Sequence, residues 1–291
     1  MGEQALAALQ LAPATVAGIL YAVRAHHLAR AGRPVPGGRQ ACFYAGLTVE
    51  VVALVGLGPL ADELFVAHMA EHLLLGDVGA LLLVVGLTGP VLAPVLRLPG
   101  FRYLAALAQP VVAFALWAVN LLVWHLPALH EAAVRHGALH ALQHTAFVGF
   151  GVLMWLALLG PLPKPAWFGN AAKLGYVVAV RLTGAVLGNV LVFGGGNFYG
   201  DVYAAGERAH GISAAADQNA AGAVMMVEGS ILTLVLLGWL FLRAAREGEE
   251  RQELLELAQA RGVDLSEGRA ARAVAAGRGG ELRRRLESGA S

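Results

Sequence analysis

Residues 67–76 read AHMAEHLLLG and residues 134–150 read VRHGALHALQHTAFVGF. Each stretch opens a long apolar segment, and each carries histidines four apart: His68 and His72 in the first, His136, His140 and His144 in the second. On a helix, residues four apart share one face, one turn above the other. Each segment therefore predicts a helix with a column of imidazoles at its N-terminal end. Imidazole ligates copper, zinc, iron and nickel, and polar groups are costly enough inside a bilayer that they mark function there.

The rest of the chain sets these helices in a membrane. Of 291 residues, 57% are hydrophobic and 14% are charged, with a mean hydropathy of +0.62. Soluble domains carry about 25% charged residues. The fold class expected is an all-α polytopic membrane protein. Windows long enough to cross ~30 Å of hydrocarbon fall at about 7–27, 41–60, 67–90, 104–125, 137–160, 172–194 and 218–242, which makes seven transmembrane helices. Gly56, Gly58 and Pro59 are expected to end the second span early, leaving a loop over 58–65. Cys42 is the lone cysteine, so intrachain disulfides and Cys-pair metal sites are excluded. The net charge of +1 gives no sign of a nucleic-acid partner. The run Ala5–Val23 has no basic residue before it, and Arg24 follows it. That pattern reads as a first span entering N-terminus outward, not as a cleaved signal peptide.

Charge distribution orients the spans. Arg24, Arg30, Arg33, Arg39, Arg97, Arg102, Lys164, Lys173, Arg243 and Arg246 flank one set of loops, against Arg135 and Arg208 in the alternate set. The positive-inside rule places the N-terminus outside and the C-terminus in the cytoplasm. Acids such as Asp62, Glu63, Glu131, Asp201, Glu207 and Asp217 then fall on the outer side. Residues 1–242 form the membrane domain. Residues 243–291 hold 10 of the 21 basic residues and form a charged cytoplasmic tail. In that tail Glu247–Arg261 extends the last helix, and the remainder is a short helix pair or disordered.

With this topology both imidazole columns lie at the outer side. His72 sits about 6 Å below His68, and His144 about 6 Å below His140, at ~1.5 Å per residue. The two pairs are expected to meet at one level. His125 ends the fourth span, and Met225 enters from the seventh at comparable depth. The candidate metal ligands are His68, His72, His140, His144, His136, His125 and Met225, with Met69 beside them. A His/Met set is soft and favours Cu(I). His26, His27, His130 and His210 are read as solvated interfacial residues. Glu71, three residues from His68, orients or joins the site. Asp217 is expected to cap the seventh helix.

Three stretches carry a resemblance: AHMAEHLLLGDVGALLLVVGLTGP (67–90), WHLPALHEAAVRHGALHALQHTAFVGFGVLMW (124–155), and NFYGDVY followed by ADQNAAGAVMM (197–203 and 216–226). In these the chain resembles the CtaG-type cytochrome c oxidase assembly proteins of bacteria, over nearly the whole membrane portion. Where that family tends to have Met-Trp, this chain has Met225-Met226. The resemblance implies a seven-helix fold and a part in making haem–copper oxidase, with copper supplied from the outer side.

The function expected is a non-enzymatic assembly factor in the bacterial plasma membrane. It would take Cu(I) from an extracytoplasmic donor and pass it to cytochrome c oxidase subunits. The alternatives are a haem b oxidoreductase, a copper transporter, or a scaffold that binds no metal. A transporter needs ligands through the full depth, whereas Cys42, Met154 and His26 are scattered.

Overall fold

The computed structural model describes residues 3–100, 103–199, 202–275 and 277–288, with side chains from residue 11 onward. Arg102 and Asp201, counted above in the charge pattern, lie outside the described residues. Among the described residues the structure is helical, without strands. The chain divides into two compact units, Met1–Ile231 and Leu232–Ser291, with the division inside one long helix.

The first unit begins with α1, Glu3–Arg30. Next comes α2, Gly37–Ala61, which follows the Pro36 turn. The expected early stop of this span is corrected here. A widened π-turn at Ala53–Leu57 leads into the Gly58–Ala61 turn, and the helix runs on through Pro59. Proline breaks a regular helix because it lacks an N–H, and a π-turn accommodates the missing bond. Helix α3, Phe65–Gly86, carries a second π-turn at Leu74–Gly79 and ends before Gly89-Pro90.

Helix α4, Pro110–Trp124, opens on a proline at its first turn. Pro127 then starts α5, Pro127–Arg135, at a bend of 73°. The segment between the fourth and fifth spans, read as a loop from sequence, is thus a short helix folded back. His136 is extended, at φ −130°, and Gly137 begins α6, Gly137–Leu158. Helix α7, Asn170–Phe193, is followed by the short α8, Ala204–His210, and by α9, Ala214–Ala260.

Five of these helices (α2, α3, α6, α7 and α9) are long and apolar enough to cross a membrane, and the bent pair α4–α5 makes a sixth if taken as one span. On α7, Leu182, Val186, Val190 and Phe193 are exposed along one stripe, with Phe193 77% exposed. An apolar stripe of this kind suits lipid, not water.

Two close approaches fix the helices that matter. Gly151 of α6 lies so near Gly76 of α3 that an added Cβ would stand 2.0 Å from the Gly76 carbonyl oxygen. Small residues let membrane helices meet backbone to backbone. At the far end of α3, Tyr21 stacks on Phe43 at 3.9 Å and its hydroxyl donates to the Gly86 carbonyl at 3.0 Å. The Arg24 guanidinium donates to the Pro90 carbonyl there at 2.8 and 3.1 Å. That end holds α1, α2 and α3 together and lies about 27 Å along α3 from His68.

In the second unit, α9 runs on and two helices follow it: α10, Glu267–Ala275, and α11, Gly279–Ser288. Leu254, Ala258, Val274 and Leu286 make a small buried core. Arg283 pairs with Glu253, and Arg251 with Glu267 at 3.5 Å. Of the two sequence readings for this segment, the helix pair is the one found.

Candidate metal centre

Helices α3, α5 and α6 bring five imidazoles into contact. His68 and His72 of α3 have ring centroids 4.2 Å apart, and His140 and His144 of α6 likewise 4.2 Å. The columns meet rung by rung. His68 stacks on His140 at 5.0 Å with 7° between the planes, and His72 meets His144 edge-on at 5.4 Å. The Gly76–Gly151 approach, one to two turns beyond, is what allows two columns of rings this separation. From α5, His130 reaches to 4.7 Å from His68.

All five rings are buried, from 0% exposure for His68 and His130 to 9% for His140. Both ring nitrogens of His68, His72 and His144, and Nε2 of His140, are shut from solvent without a hydrogen-bond partner. A buried polar atom left unpaired costs about 1–3 kcal/mol, and native folds rarely tolerate several together. His68, His72 and His140 offer ligand atoms all within 4.8 Å of one another, and so do Glu71, His140 and His144. The two sets share His140. The Glu71 carboxyl lies 3.4 Å from His144 Nε2, without hydrogen-bond alignment, and has an unpaired oxygen of its own.

Around this cluster Asp217, Gln218, Tyr199 and Tyr203 find partners, while His130 is paired at Nε2 and leaves Nδ1 unpaired. The amides of Phe65 and Val66 donate to the Asp217 carboxylate at 2.7 and 2.9 Å. Asp217 therefore caps α3, the helix that carries His68 and His72, and not its own helix as expected. Ser213 takes the latter role, accepting from the Ala216 amide at 3.2 Å. Gln218 accepts from the Phe198 amide at 2.9 Å and donates to the Leu191 and Gly196 carbonyls at 3.1 Å. This ties the 194–199 turn to α9. Burial holds the Tyr203 phenol well above its usual range, and its hydroxyl shares a hydrogen bond with His130 Nε2 at 2.8 Å. Tyr199 is raised by the same cause and donates to the His125 carbonyl at 3.3 Å.

The structure thus gathers His68, His72, His140, His144 and Glu71. His125 stands to one side, its Nε2 3.3 Å from the Met69 sulfur, and Met225 borders the same small chamber as Met69, His72 and His125. His136 is exposed at the start of α6 and touches none of the other rings among the described residues. The reading of His130 as solvated is corrected: it is completely buried. Pro127 signals the helix that folds it inward, so the clue lay in the sequence. Gln143, fully buried with its amide unpaired, was missed altogether, and a lone glutamine beside two histidines carries no distinguishing pattern. His210, half exposed, meets Glu63 at 2.8 Å.

Comparison with known proteins extends this picture. A family model described as cytochrome c oxidase caa3 assembly factor matches residues 19–247. An uncharacterized protein of Mycobacterium leprae is 26% identical over 255 residues, covering 81% of this chain and 38% of that protein. An uncharacterized protein of Mycobacterium bovis is 28% identical over 200 residues, covering 62% of this chain and 30% of its own length. The chain therefore spans about a third of the length of these relatives. No solved structure matches. Since the family match runs through both histidine helices and the motifs beside them, the chain belongs to the cytochrome c oxidase caa3 assembly factor family.

Proposed function

We propose that this assembly factor is a copper carrier: it holds the ion on the buried imidazole cluster and hands it to cytochrome c oxidase. The observation that carries the reading is the set of unpaired nitrogens on His68, His72, His140 and His144, packed within reach of one another. Desolvated lone pairs at such density are stabilised by a cation and by little else that fits between them. Copper is the metal cargo an oxidase needs, and imidazole takes both of its oxidation states. The close packing of the rings favours a small ion over a haem, whose macrocycle would need a slot through them. Delivery requires binding and release, not bond chemistry, which is why a non-catalytic role fits.

In this reading seven spans cross the bilayer: α1, the bent pair α4–α5, and the five long apolar helices. At 28 residues, α1 is long enough to cross. The basic residues at the Gly86 end of α3 face the cytoplasm, and the histidine cluster lies at the outer side of the bacterial plasma membrane. The ion arrives from an extracytoplasmic donor. Residues 243–291 are the cytoplasmic tail.

The experiment is metal analysis of protein purified in detergent under reducing conditions, loaded with Cu(I). His72→Ala or His144→Ala is expected to lose the copper held on the imidazole cluster, while His26→Ala retains it. Equal copper in all of these would refute the assignment.

A further inference from the structure

Beside the imidazole columns lies a small, partly open chamber of different chemistry. Met69, His125, Met225 and His72 border it, Trp117 and Phe147 help close it, and its volume is ≈30 Å³. That is more than the about 10–15 Å³ one water requires, so a single ion fits. Met69, Met225 and His125 are 1%, 6% and 9% exposed.

The tautomer of His125 is fixed by its neighbours. Its Nδ1 lies 2.7 Å from the Leu121 carbonyl oxygen. A carbonyl only accepts, so Nδ1 carries the proton, and Nε2 of the neutral ring is then a bare lone pair. That lone pair faces the Met69 sulfur at 3.3 Å. Two Lewis bases point at one another across apolar walls with no proton between them. An ion with bonds of about 2.0 Å to nitrogen and about 2.3 Å to sulfur, at trigonal or tetrahedral angles, holds its donors about 3.5–3.7 Å apart. The gap must open by only a few tenths of an ångström, which the three rotatable bonds of methionine supply.

The geometry points to a second metal station, separate from the imidazole cluster, in which His125 Nε2 and Met69 Sδ hold one soft monovalent ion and Met225 adds a third donor from α9. Thioether donors select Cu(I) and its analogue Ag(I) over zinc. His72 borders the chamber and is also a member of the imidazole cluster, so an ion passes between the two by exchanging one ligand at a time, without release. The identity of the cargo rests on the copper-carrier reading; the station itself rests on the donors.

The test uses full-length protein in detergent, loaded with Cu(I), Ag(I) or Zn(II), desalted, and assayed for retained metal and for sulfur ligation by X-ray absorption. Native protein is expected to show a copper–sulfur shell. Met69→Leu/Met225→Leu, which conserves volume, should lose that shell and one equivalent of Ag(I) while keeping its Zn(II). Met154→Leu, a buried methionine elsewhere, should change neither. His144→Ala should show the reverse pattern, with zinc lost and the sulfur shell kept. Copper bound by native protein without a sulfur shell would overturn the second station and leave the imidazole site standing. Loss of Zn(II) in place of Ag(I) from the double methionine variant would overturn it too, because Asp77 also borders the chamber and would then be capturing a divalent ion. No retention of any ion by native protein would overturn both assignments.

Discussion

Two buried polar groups sit side by side in this protein, and they differ in one property. Asp217, Gln218, Tyr199 and Tyr203 find partners within the chain: amides, carbonyls and the Nε2 of His130, whose Nδ1 stays unpaired. His68, His72, His140, His144 and Glu71 leave nitrogens and an oxygen unpaired at equal depth. Burial alone does not separate them, since both groups lie below a tenth exposed. Pairing does. A paired network fixes the fold, because removing a member strands its partner. An unpaired cluster is a cost to the fold, and the copper-carrier proposal assigns that cost to an ion from outside the chain. The paired group also serves the unpaired one, because Asp217 anchors the first turn of the helix that bears His68 and His72.

The largest expected effect lies in the paired group. Asp217→Ala removes the acceptor for two buried amides of α3 and should destabilise the protein by about 2–4 kcal/mol. Thermal unfolding in detergent measures the loss, and faster hydrogen exchange at Phe65 and Val66 locates it. Unchanged stability would mean that the network is not closed. Next comes Gly151→Ala, which drives a methyl against the Gly76 carbonyl and should cost about 1–3 kcal/mol as α3 and α6 part. It should also weaken metal retention without touching a ligand, since the columns separate. Tyr203→Phe removes only the hydroxyl hydrogen-bonded to His130 Nε2, and about 1 kcal/mol is expected from the same unfolding measurement.

Much of this was legible in the chain. The spacing of His68, His72, His140 and His144 is a helical period, and helices with a four-residue repeat can only present those rings as columns. That the columns meet follows from two glycines, Gly76 and Gly151, which look like ordinary helix glycines until the partner helix is known. The role of Asp217 was out of reach for the same reason. A sequence shows an acid near a helix start, and local capping is the economical reading; the amides it accepts from lie 151 and 152 residues away. Pro59 misled because proline stops most helices, and the π-turn that rescues α2 depends on where its neighbours pack. His130 was legible in principle: Pro127 opens a helix, and three residues on is the next position on its inner face.

The smallest expected change in stability is also the one that separates the two groups most sharply. His144→Leu replaces a ring with two unpaired nitrogens by an apolar side chain. Among paired residues such a change strands a partner and destabilises. Here there is none to strand beyond Glu71, whose approach lacks hydrogen-bond alignment. Removing desolvated polar atoms without orphaning another group is close to neutral, or stabilising by up to about 1 kcal/mol, in the metal-free protein. Metal then reverses the order. An ion that binds the folded state alone adds about 2.7 kcal/mol at a hundredfold excess over its dissociation constant. Native protein should gain that increment with Cu(I), and the leucine variant should gain far less, so the two unfolding curves cross between the metal-free and loaded conditions. If His144→Leu instead unfolded as readily as Asp217→Ala in the absence of metal, His144 would be a structural residue with partners the fold needs. The imidazole cluster would then belong with the paired network it adjoins.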